Sequence, residues 1–197
     1  MKSTIPPLTS NTCPVELYQN KLEFEQLLDL LNSRNIKSVL EIGSMFGGTA
    51  WYWLNNLHIT SLTIIDALVS AEDSRYAEQL RCHNVLWKEW CNAHNCELNV
   101  FTGYSTNQTI INNVKKLAKV DMLFIDGDHS FSGVSHDYFT FKEMVNPGGV
   151  IVFHDIAFEK ESVWYGVKPL WDQLKNKFKY KEFIEIPGDR GLGVLYV

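Results

Sequence analysis

Val39-Leu40-Glu41-Ile42-Gly43-Ser44-Met45-Phe46-Gly47-Gly48-Thr49 joins a short apolar run to a cluster of glycines. The run from Ser38 to Ile42 has the length and residue types of a buried strand. It breaks at Gly43, and helical periodicity takes over at about Gly47. Strand, glycine turn and helix opening together make the first crossover of a nucleotide-type α/β sheet. Glycine lets backbone approach a ligand closely and take conformations that a Cβ forbids, while a new helix offers unpaired N–H groups to an anion. A dinucleotide fingerprint would need G-x-G-x-x-G, which Met45 and Phe46 do not supply. The pattern here is E-x-G-x-x-x-G-G, with an acid two residues ahead of the first glycine.

Outward from this loop, the chain alternates. Leu17 to Leu31 reads as a helix laid against the sheet through Leu22, Leu27, Leu28, Leu30 and Leu31, and Met1 to Pro14 as a mobile arm. Thr49 to Leu57 is the helix after the loop. Its rings, Trp51, Tyr52 and Trp53, are expected to pack in the core; a platform for a base or substrate is the alternative. Leu62 to Asp66 is the second strand. A carboxylate ending the second strand, about twenty residues beyond the glycine turn, suits the hydroxyls of a ribose better than a simple turn cap.

Glu72 to His94 is helical and Glu97 to Phe101 is the third strand. Gly103-Tyr104-Ser105 follow its carboxyl end, where position alone makes Tyr104 and Ser105 candidates for holding an adenine. Thr106 to Lys119 is amphipathic. The fourth strand ends in Asp126-Gly127-Asp128-His129, and a fifth, Val150 to Phe153, ends in His154-Asp155. Neighbouring strand ends thus carry several ionisable groups to one edge, a costly arrangement for a fold that makes no use of it. A helix follows from about Val163 to Phe178. Phe183 to Ile186 and Gly193 to Val197 then read as a hairpin around Pro187-Gly188-Asp189-Arg190-Gly191.

The 197 residues, 45% of them hydrophobic, suit one globular domain over 1–197, with an arm up to about residue 20. A net charge of −5 does not suggest nucleic acid. No apolar run reaches a membrane span, and no basic, apolar leader opens the sequence, so a cytoplasmic protein with reduced cysteines is expected. Cys82, His83, Cys91, His94 and Cys96 invite a zinc site. Their irregular spacing, without paired C-x-x-C units, makes ordinary half-buried residues the better reading.

The loop at 41–48, Asp66, the run F-I-D-G-D-H-S-F at 124–131, the run P-G-G-V-I-V-F-H-D at 147–155 and the ending Gly191-Leu192-Gly193-Val194 resemble the class I S-adenosylmethionine-dependent methyltransferases. The likeness, over roughly residues 20–197, is to the branch that includes macrolide sugar O-methyltransferases and cephalosporin-pathway proteins labelled hydroxylases. It implies a Rossmann-like sheet of seven strands in order 3-2-1-4-5-7-6, strand seven antiparallel. It also implies S-adenosylmethionine as cofactor, received by Glu41, Gly43, Ser44, Gly47, Gly48, Asp66 and Asp126, beside the positional candidates Tyr104 and Ser105. By motif, a magnesium or other divalent site falls on Asp126, His154 and Asp155, with His154 a departure from the usual acidic or amide ligand. The catalytic base falls on His129, whose near-neutral pKa suits it to the task.

The expected reaction is methyl transfer to a hydroxyl of a sugar or another small molecule. A homo-oligomer or the arm at 1–20 could complete the acceptor pocket. The rival readings are a non-catalytic module that binds S-adenosylmethionine, and an iron-dependent hydroxylase built on His129, His154 and Asp126.

Overall fold

Seven strands, six of them pointing the same way, form one sheet in the computed structural model, which describes residues 15–67, 76–159 and 165–197. The elements are α1 (Lys21–Asn32), β1 (Ser38–Ile42), α2 (Gly48–Tyr52), β2 (Ser61–Asp66), α3 (Tyr76–Ala93), β3 (Glu97–Thr102), α4 (Gln108–Val114), β4 (Val120–Ile125), α5 (Phe131–Phe141), β5 (Val145–His154), α6 (Val167–Lys175), β6 (Tyr180–Phe183) and β7 (Leu192–Tyr196). The order across the sheet is β3-β2-β1-β4-β5-β7-β6. β7 alone runs opposite to the other strands.

The central strands are apolar on both faces because helices cover both. One layer gathers Phe24, Leu27, Leu28 and Leu31 of α1 with Trp53, Trp87 and the sheet residues Leu62, Met122 and Val152. The other gathers Val134, Tyr138 and Phe141 of α5 and Leu170, Trp171 and Leu174 of α6 on Leu40, Leu123 and Ile151. Trp53 and Tyr52 are core residues as expected. Trp51 packs edge-on against Trp90, ring centroids 5.1 Å apart.

Several boundaries differ from those read in the sequence. The α-helix after the glycine loop ends at Tyr52 and continues as a wider π-turn over Trp53–Leu57. Asn107 caps α4, its side chain accepting from the N–H groups of Thr109 and Ile110, which delays the helix to Gln108. β5 begins at Val145 rather than at Val150, and Asn146 to Gly149 bulge from it, so that Val145 pairs with Val120 and Val150 with Met122. The last hairpin is also shifted. Its first strand is Tyr180–Phe183, because Phe183 is buried while Ile184 and Ile186 face solvent, and the Glu185 N–H is taken by Glu23. No helix among the described residues is long and apolar enough to cross a membrane.

Candidate functional site at the carboxyl edge of the sheet

Parallel strands deliver their carboxyl ends to one rim, and the polar residues singled out by the sequence sit there because the strands stop there. The glycine loop leaves β1 beside the end of β4. Asp126 donates its N–H to the Ile42 carbonyl at 2.9 Å, and a Cβ on Gly43 would stand 2.1 Å from the Asp126 carbonyl oxygen. Gly43, Met45 and Gly47 all have left-handed backbone (φ 82°, 46° and 71°). The loop is pinned from β2: Asp66 Oδ2 accepts from the Ser44 N–H at 2.7 Å and the Met45 N–H at 2.9 Å. Gly43 and Gly47 donate to the carbonyls of Ile65 and Ser44. Four N–H groups of the loop are therefore bonded within the protein.

The loop's glycines meet protein atoms. The space a Cβ would fill at Gly47 is held by the Trp87 indole nitrogen at 2.6 Å, and at Gly48 by the Glu16 carbonyl oxygen at 2.0 Å. Glu41 is completely buried rather than lining the rim. One of its oxygens accepts from the Thr49 hydroxyl and the other from Trp53 Nε1 at 2.7 Å, so it braces β1 against α2. Burial pushes its carboxyl up to about 7 against the lowering effect of those bonds. The loop after β3 adjoins Asp66 through the Gly103 N–H, 2.8 Å from the Asp66 carbonyl; Tyr104 is 65% exposed and Ser105 half-buried.

On the other side of β1, the ends of β4 and β5 build a dense ionic cluster. Asp126 Oδ1 faces His129 Nε2 at 3.2 Å and His154 Nδ1 at 3.0 Å. The second nitrogen of His129 faces Asp155 Oδ2 at 3.1 Å. Burial disfavours a charge on His129, but the bond to Asp126 and the charges of Asp126, Asp155 and Asp128 outweigh it and push the imidazole up to about 9. His154 is likewise raised: burial opposes its charge and Asp126 overcomes it. Asp126 falls to about 2, since the two imidazoles outweigh its burial. Asp155 goes up because burial dominates, and its backbone is left-handed at φ 62°, a conformation aspartate tolerates better than most residues.

Asp128 turns away from this cluster. Its Oδ1 accepts from the Ser130 N–H at 2.9 Å, and its carboxyl occupies the space beside Gly133, shaping the start of α5. Asp137 is buried under Gly127, where burial pushes its carboxyl up to about 7.

Two residues of this edge carry no sequence motif. Gln19 donates from Nε2 to Asp126 Oδ2 at 2.6 Å. Glu23 accepts from the N–H groups of Glu185 and Gly191, at 2.9 and 3.2 Å, and so ties α1 to the segment before β7. Both lie in the opening turns of the helix read from Leu17, which in the structure starts only at Lys21 after the Asn20 cap. Their polarity there is ordinary, so the sequence offers no signal for either.

Among the described residues, the group of three whose side chains could share a metal ion is Asp126, His154 and Asp155, with ligand atoms within 4.8 Å of one another. The cysteine and histidine cluster does not assemble a zinc centre in the described part: Cys91 and Cys96 are free and buried, and His94 Nδ1 is taken up by the Trp90 carbonyl at 2.8 Å. Cys13 and the side chain of Cys82 lie outside the described residues.

Residues 40–156 match the family model of a methyltransferase domain. A protein of Acanthamoeba polyphaga mimivirus, itself uncharacterized, is 32% identical over 137 residues; the match takes in 68% of this chain and 59% of that protein's length. Among solved structures, the O-methyltransferase of Bacillus cereus in complex with S-adenosylhomocysteine superposes with a TM-score of 0.67 at 14% identity, covering 94% of this chain and 84% of that one. TomG, the O-methyltransferase of Streptomyces achromogenes involved in tomaymycin synthesis, in complex with S-adenosylmethionine, gives 0.65 at 16% identity, over 93% and 82%. At such identities the likeness is one of fold.

Proposed function

This chain belongs to the methyltransferase-domain family, in the class I S-adenosylmethionine-dependent group, and from that premise we propose that it methylates a hydroxyl oxygen of a small molecule. The observation that carries the reading is the meeting, at one edge, of the glycine loop, the carboxylate of Asp66 and the cluster Asp126-His129-His154-Asp155. The donor lies across the ends of β1 and β2, with Asp66 toward its ribose and the loop after β3, with Tyr104 and Ser105, toward its adenine.

In the transfer the acceptor oxygen attacks the methyl carbon, the carbon–sulfur bond breaks, and S-adenosylhomocysteine leaves. The sulfonium is already activated, so the protein's main contribution is alignment, worth as much as ~7–11 kcal/mol. The acceptor's proton goes to His129. Its two flanking carboxylates favour the charged ring, so the geometry is that of the site with the proton in place.

A divalent cation suits the residues present. Two carboxylates and an imidazole nitrogen converge, with ligand atoms within 4.8 Å of one another, and His154 Nε2 is buried without a hydrogen-bond partner. Asp126, His154 and Asp155 would hold the ion, and the mixed donor set suits manganese at least as well as magnesium. When bound, it would take up the carboxylate charge that now favours protonated His129 and would polarise the acceptor hydroxyl.

The test is methyl transfer from labelled S-adenosylmethionine to a panel of sugars, phenols and polyketide alcohols, with and without manganese. Transfer to one of them that His129→Ala abolishes supports the reading. Tight binding of S-adenosylhomocysteine with no transfer to any acceptor would favour a non-catalytic binding module.

A further inference from the structure

Gln19 sits in the short stretch ahead of α1 that crosses the glycine loop. Three contacts fix this crossing. The Glu16 carbonyl lies against Gly48, the Tyr18 ring stacks on Phe46 with centroids 5.7 Å apart, and the Asn20 side chain accepts from the Leu22 N–H to cap α1. Between these anchors Gln19 is only 6% exposed. Its Nε2 donates to Asp126 Oδ2, while its Oε1 is buried with no hydrogen-bond partner. A buried amide satisfied at one end only is a costly arrangement. The end of the amide that faces Asp126 is its nitrogen, and no hydrogen bond holds the oxygen where it lies.

We propose that Gln19 is a fourth protein ligand of the divalent cation, binding it through Oε1 beside Asp126, His154 and Asp155; this rests on the metal reading given above. A half-turn about the Cγ–Cδ bond exchanges the two ends of the amide and brings the oxygen to Asp126 in place of the nitrogen. Side-chain carbonyls are ordinary ligands for hard cations. The other three residues supply two oxygens and a nitrogen, so a neutral oxygen donor improves the set for a hard ion without adding charge to a site that already holds two carboxylates.

Calorimetric titration of the full chain with Mn²⁺ alone tests this in wild type, Gln19→Leu and Gln19→Glu. Gln19→Leu should bind Mn²⁺ about tenfold more weakly, and Gln19→Glu at least as tightly as wild type. Both should keep wild-type affinity for S-adenosylhomocysteine, which shows that they are folded. Equal Mn²⁺ affinity in wild type and Gln19→Leu, or a Gln19→Glu protein as weak as Gln19→Leu, overturns the assignment and leaves the three-residue site standing. A wild type that takes up S-adenosylhomocysteine but no Mn²⁺ overturns both this assignment and the metal reading, while the cofactor reading survives.

Discussion

Asp66 holds the glycine loop in shape while standing where a ribose is expected, so its removal acts twice. Asp66→Ala frees the N–H groups of Ser44 and Met45 and deletes the acceptor for the diol. Loss of a charge-assisted bond at ~1.5–3 kcal/mol should weaken S-adenosylhomocysteine binding by at least about tenfold. His129→Ala should leave that affinity unchanged and lower turnover by ~10²–10⁴; a variant that turns over normally removes His129 from the chemistry. Glu41 carries a pH signature. Its folded carboxyl is raised from 4.5 to about 7, whereas in the unfolded chain it ionises at the ordinary value. Between those values the native state binds more protons, so stability falls as pH rises through that window and levels off above it. The shift corresponds to about 3 kcal/mol. Glu41→Gln should remove this decline, so urea unfolding of variant and wild type from pH 4.5 to 8 should diverge in the variant's favour. Parallel profiles would mean that Glu41 stays ionised in the fold.

The elements teach how closely β1 and β4 are joined. At Gly43 the backbone is left-handed and the missing Cβ leaves space that the Asp126 carbonyl fills, so Gly43→Ala should cost more than about 2 kcal/mol in chemical denaturation. Gly148, equally left-handed at φ 85° but with nothing within 4 Å, should lose only about 1 kcal/mol as alanine. Equal costs would show that backbone strain, and not the approach of the two strands, governs Gly43. The glycine pattern was readable in the sequence; which atoms crowd it was not. Trp87, Glu16 and Asp126 reach these glycines from three different parts of the chain, and no local signal announces such contacts. The final hairpin failed for a related reason. Ile184 and Ile186 alternate as a strand should, yet Glu23 claims the Glu185 N–H and leaves both isoleucines in solvent. A tertiary contact there overrides the local pattern.

For the molecule as a whole, periodicity and turn residues sufficed for the strand count. The resemblance to class I methyltransferases supplied the order 3-2-1-4-5-7-6 that the sheet has. The clustering of Asp126, His129, His154 and Asp155 was legible because each lies at or just beyond the end of β4 or β5, and parallel strands end together. Gln19 and Glu23 were not, since they reach the edge from a helix approach whose sequence could lie anywhere on a surface.

The most direct test is a calorimetric titration of the protein with S-adenosylhomocysteine, run beside Asp66→Ala. The account predicts saturable one-to-one binding by the wild type, weakened at least about tenfold in the variant. Absence of any binding heat in the wild type, or affinity that Asp66→Ala leaves intact, would contradict it.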